Sequence, residues 1–135
     1  MPNPEATPGW VPPCPETALV LAADDALALA TFYAALVHQT VQPGLSPTHW
    51  RVDLPSAGWL ELYQPSRNRP QPRQRGRLAV CLKRKGDAAA LEAWVHQAIA
   101  LGARQLDAPR QEAFGSEAWL LDPEDNALLL LMGPS

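Results

Sequence analysis

AAALEAWVHQAIALGARQLDAPRQEAFGSEAWLLDPEDNALLLLM, residues 88–132, is the stretch whose reading decides the fold. Leu91, Trp94, Val95, Ala98 and Ile99 recur at i, i+3, i+4, i+7 and i+8, the spacing of one helix face, and Gly102-Ala103 ends that helix. Burying Leu91, Val95 and Ile99 would each contribute roughly 1.5–3 kcal/mol before the entropy of ordering is subtracted. Arg104-Gln105-Leu106, running on to Phe114-Gly115, and then Trp119-Leu120-Leu121 read as strands. Asp122-Pro123-Glu124-Asp125-Asn126 reads as a tight turn, and Ala127 to Met132 as an apolar closing strand. With Arg77 to Lys83 as the strand before the helix, the unit is strand, helix and about three strands.

The same order appears once upstream. Thr17 to Ala23 predicts a short, mostly buried strand, and Asp24 or Asp25 caps the helix that follows. Leu29, Phe32, Tyr33 and Leu36 mark the buried face of that helix. A short strand or loop closes at Pro43-Gly44, Ser46 to Leu54 reads as a strand, and Pro55-Ser56-Ala57-Gly58 turns it back into Trp59 to Tyr63. The two strand-to-helix starts lie about sixty residues apart, an internal repeat of pattern and not of identity. Residues 1–16, with prolines at 2, 4, 8, 12, 13 and 15, read as a disordered tail. Residues 17–135 then form one domain, with module one at 17–64, a linker at 65–76 and module two at 77–132.

Composition excludes several classes. No stretch reaches the roughly 18 apolar residues needed to span a bilayer, and the N-terminus lacks the basic start and apolar core of a secretion signal, so the expectation is a cytoplasmic protein. Cys14 and Cys81 have no metal-like spacing and read as reduced thiols. Net charge is −3, yet eight of the eleven basic residues fall between Arg67 and Lys85 with no acid among them. That run reads as a solvated connector; holding an acidic partner is the other reading. No aromatic residue interleaves with the arginines to stack on bases, which argues against nucleic acid.

Four landmarks carry a family likeness: Asp25 followed seven positions on by Phe32-Tyr33, Gly58-Trp-Leu-Glu-Leu-Tyr63, Leu101-Gly-Ala-Arg104, and Asp122-Pro-Glu-Asp-Asn126 before a closing strand. In this order the chain resembles the vicinal oxygen chelate superfamily, which includes glyoxalase I, the bleomycin-resistance proteins and the extradiol dioxygenases. The resemblance implies an α+β fold in which two βαβββ modules form a curved, mostly antiparallel sheet around a cavity, with helices outside. Metal-using members supply His or Glu from four strands. At the matching positions this chain has Ala18, Glu61, Arg77 and Leu129, of which only Glu61 is a metal ligand by type, so no metal and no cofactor are expected. A Glu61–Arg77 salt bridge would stand in the metal's place, either touching a ligand or merely neutralising a leftover carboxylate.

Strand alternation puts Trp59 and Tyr63 on the cavity side with Glu61, and His49, Arg51 and Asp53 on that side of the preceding strand. Leu60, Leu62, Trp50, Val52 and Leu54 face the helices. Trp119 or Phe114 would close the cavity from the second module. The candidate ligand-binding residues are thus Glu61, Arg77, Trp59, Tyr63, His49, Arg51 and Trp119, with the tryptophans also serviceable as core or dimer-interface residues. His49 reads as an ordinary strand histidine, as a general base, or as one of two ligands of a displaced metal site with Glu61. His38, at a helix C-terminus, and His96, on a polar helix face, need no function, and Glu112 and Glu117 read as solvent-facing. The functional expectation is a metal-independent small-molecule binding protein of the bleomycin-resistance type. The resemblance implies a homodimer. The alternatives are a metal-dependent lyase or dioxygenase, and a scaffold using the basic linker.

Overall fold

Aspartates start both helices, and each makes the same bond. Asp25 Oδ1 accepts the Ala28 N–H at 3.0 Å and Asp87 Oδ1 the Ala90 N–H at 2.9 Å, supplying partners for donors that a first helical turn leaves open. The computed structural model describes residues 17–55, 57–66 and 78–134. Along them run β1 (Ala18–Ala22), α1 (Ala26–Leu36), β2 (Val41–Pro43), β3 (His49–Leu54), β4 (Gly58–Tyr63), β5 (Val80–Lys85), α2 (Ala88–Leu101), β6 (Arg104–Gln105), β7 (Arg110–Glu112), β8 (Gly115–Leu121) and β9 (Ala127–Gly133).

The strands make two sheets of like connectivity, ordered β1-β4-β3-β2 and β5-β9-β8-β6, with β7 added beside β8. In each, the strand before the helix runs parallel to the last strand of its module, and the other pairs are antiparallel. The architecture is therefore α+β, a duplicated βαβββ unit. One side of each sheet carries Val52, Leu54, Leu60 and Leu62, or Val80, Leu120, Leu128 and Leu130. These residues join Leu29, Tyr33 and Leu36 of α1 and Leu91, Trp94 and Val95 of α2 in one core. On the opposite sides most residues are half-buried, and among the described residues neither helix packs there.

Two polar contacts tie the modules at one end. Tyr33 Oη donates to Asp122 Oδ2 at 2.7 Å, with both residues buried, and the Glu124 carboxylate accepts the backbone N–H groups of Asp24 and Asp25 at 2.6 and 2.8 Å. Asp122 Oδ1 also accepts the N–H groups of Glu124 and Asn126 within the turn, at 2.8 and 3.0 Å. One side chain thus shapes the β8–β9 turn and anchors α1.

Several sequence expectations are corrected. β1 is mostly exposed, because it is an edge strand. β3 begins at His49, since Ser46 to Thr48 form a turn in which Ser46 Oγ accepts the Thr48 N–H at 3.3 Å. β5 begins at Val80, and Leu78 is exposed. Ile99 is also exposed, because it stands about 80° around the helix from Leu91, past the edge of the buried stripe. Glu117 is not solvent-facing: its side chain is largely covered beside Arg110, 3.5 Å away. The expected tail, most of the linker and Arg77 lie outside the described residues.

Candidate functional site on the first sheet

The hairpin of β3 and β4 sets the site. Its register puts Arg51 opposite Glu61, His49 opposite Tyr63 and Asp53 opposite Trp59, and all six share the face turned away from the helices. Arg51 Nε donates to both Glu61 oxygens, at 3.0 and 2.9 Å, and His49 Nε2 to Oε1 at 2.7 Å. The Arg51 guanidinium carbon lies 4.0 Å from the centre of the Trp59 ring, a cation–π stack. The Glu61, His49 and Arg51 side chains are 16%, 18% and 31% exposed, shielded enough to be ordered and open enough to be reached.

The histidine is held from behind. The Leu45 N–H donates to His49 Nδ1 at 2.9 Å, which needs a lone pair there and leaves the proton on Nε2, where Glu61 accepts it. Gly44 permits this arrangement, because a Cβ on it would lie 2.3 Å from the imidazole. Neither Gly44 nor the Leu45 amide is among the sequence candidates. The available signal was a Pro-Gly turn closing just before the strand that bears the histidine.

The structure thus brings together His49, Arg51, Trp59 and Glu61. Tyr63, opposite His49 on the same face, is buried. Among the described residues Glu61 is met by Arg51 and His49 of β3; Arg77, its expected partner, lies outside them. Trp119 belongs to the other sheet, opposite Leu129, and Phe114 sits exposed in the β7–β8 turn. The second sheet's open side carries Trp119, Leu129, Leu131 and Cys81. Burial pushes the Cys81 thiol up from its ordinary pKa, against the opposing pull of Lys83.

The donor set does not fit a divalent cation. β1 presents Ala18 and Val20 on this face, with Val20 beside Glu61, and β9 presents Leu129. Among the described residues no three His, Cys, Asp or Glu stand close enough to hold a metal. A cation at Glu61 would have to strip the guanidinium and imidazole from its carboxylate, and would find aliphatic carbon at Ala18 and Leu129. The His49–Glu61 metal site is disfavoured on the same ground: both imidazole nitrogens are engaged, one by a backbone donor and the other by the carboxylate.

Strand order, parallel first-to-last pairing and an open sheet face in each half define the class, and comparison supports it. Residues 18–131 match the family model described as a glyoxalase-like domain, so the chain belongs to that family, within the vicinal oxygen chelate superfamily. Among solved structures it is similar to a glyoxalase/bleomycin resistance protein/dioxygenase family enzyme from Burkholderia phytofirmans, with 19% identity over 86% of this chain and 96% of that one and a TM-score of 0.70. It is also similar to a lactoylglutathione lyase from Agrobacterium tumefaciens, with 22% identity over 91% and 96% and a TM-score of 0.63. A hypothetical protein from S. aureus shares 12% identity over 90% and 95%, with a TM-score of 0.74. These likenesses establish fold and not chemistry. No curated protein matches the chain. Among the described residues no helix is long and apolar enough to cross a membrane.

Proposed function

We propose that this chain binds a small molecule on the open face of the first sheet without a metal and without transforming it, and does so as a homodimer. The observation that carries the reading is Arg51, pinned against the Trp59 ring by a two-oxygen contact with Glu61. A fixed cation on an aromatic plane suits a flat ligand bearing a negative or hydrogen-bonding group. Glu61 and His49 satisfy each other, so the face has order without a vacant base. The dimer rests on the open sheet faces: Val20, beside Glu61, is 59% exposed, and β1 and β5 each end a sheet. A second copy would cover both edges and wall the site.

Native mass spectrometry of the purified protein tests this, followed by ligand-observed NMR with benzoate as the probe. A metal-free dimer whose benzoate signal weakens in Trp59→Ala and Glu61→Gln supports the reading. A stoichiometric divalent metal lost in His49→Ala, or benzoate binding indifferent to both substitutions, overturns it.

A further inference from the structure

A cavity of about 510 Å³ lies between the two modules, within the roughly 300–1,000 Å³ range of small-molecule sites. Its walls come from both halves: Leu19 of β1, Leu36 at the end of α1, Leu54 at the β3–β4 turn, Val80 and Leu82 of β5, and Trp94 of α2. Leu19, Leu54, Val80, Leu82 and Trp94 belong to the helix-facing sides of their elements, Cys81 and Lys83 line it from the other side of the β5 edge strand, and His49, Arg51, Trp59 and Glu61 are not among its lining residues. Among the described lining residues the charged ones are Lys83 and Arg84, both cationic. The Arg84 guanidinium stacks over the Trp94 ring at 4.3 Å. Trp94 is buried, and its indole N–H has no acceptor among the described residues.

Each feature narrows the occupant. Aliphatic and aromatic walls of this extent favour an apolar body, since burying its surface is the main source of affinity. Cations without an acid beside them favour a negative head group. An indole donor without an acceptor is a standing cost that a carboxylate oxygen entering beside it, after a small rotation of the ring, would remove. We propose that the inter-module cavity is a second binding site, for an amphipathic carboxylate with an aliphatic tail, its head group held by Lys83, Arg84 and the Trp94 N–H.

Isothermal titration of the full chain with decanoate tests this, using decan-1-ol as the uncharged comparison. Expected is saturable binding of one decanoate per chain. Lys83→Glu combined with Arg84→Glu should weaken it roughly tenfold while changing decan-1-ol binding little. Leu19→Glu, a substitution at a partly exposed position that the fold tolerates, should weaken both ligands. No saturable decanoate binding by the full chain overturns the proposal. So does binding that survives both variants, or binding lost in Trp59→Ala and kept in the charge-reversed variant, which would put the ligand on the first-sheet face.

Discussion

Replacing Tyr33 by Phe removes one oxygen and leaves the ring, so it isolates the bond that ties α1 to the β8–β9 turn. Tyr33 Oη and Asp122 Oδ2 lie 2.7 Å apart with both residues shut away from solvent, and a hydrogen bond to a charged acceptor of this kind contributes about 1.5–3 kcal/mol. Asp122 keeps its other donors, since Asn126 Nδ2 lies 2.9 Å from Oδ2 and Oδ1 holds the turn, so the lower half of that range, about 2 kcal/mol, is expected. Urea unfolding at pH 7, with a slope of about 1–3 kcal/mol/M, should show the midpoint falling by about 1 M. The loss must also depend on pH. Burial first, then the Asp122 charge and the hydrogen bond, raise the Tyr33 pKa well above its ordinary value. A folded-state pKa above the unfolded one gives stability that is complete below about pH 10 and is lost as pH rises, because only the unfolded chain ionises there. The advantage of the parent over Tyr33→Phe should therefore shrink by about 1.4 kcal/mol between pH 9 and 11. A difference at pH 7 below about 0.5 kcal/mol, or one that stays constant up to pH 11, would refute the role given to this bond.

Gly58→Ala should destabilise by about 2 kcal/mol or more and free β1, since Gly58 has φ +92° and a Cβ there would meet the Thr17 carbonyl oxygen at 1.8 Å; amide exchange of Leu19 to Leu21 reports the loss. Gly44→Ala should leave the fold intact at a cost of about 1 kcal/mol while displacing the imidazole, read as changed His49 ring signals in NMR and as loss of the slow Leu45 amide. Glu61→Gln, by removing the charge that holds Arg51, should cost about 1 kcal/mol in thermal unfolding and leave the Arg51 side-chain resonance broadened; an unchanged Arg51 signal would count against the network.

What the sequence could disclose follows from the range of each interaction. Asp25 and Asp87 were readable as caps because capping is local, and Leu60 and Leu62 as helix-facing because strand alternation needs no partner. The face shared by His49, Arg51, Trp59 and Glu61 followed from the same alternation. That Arg51 meets Glu61 depended on hairpin register, which places it directly across the ladder. The exposure of β1 is set by sheet order, to which TALVLAA contributes no local signal. The grip on His49 by the Leu45 amide comes from a three-dimensional turn around Gly44. The inter-module cavity involves residues from five parts of the chain that no spacing links.

The two outer strands differ in how well they guard themselves. An unpaired strand edge is a template on which a stranger's backbone can add, and charged side chains are the common deterrent. β5 carries Lys83, Arg84 and Lys85 along its edge, whereas β1, Ala-Leu-Val-Leu-Ala, carries nothing charged at all. When the protein is partly denatured, β1 is therefore the segment from which runaway stacking of copies would begin. A charge placed at Val20 would take that template away and lengthen shelf life.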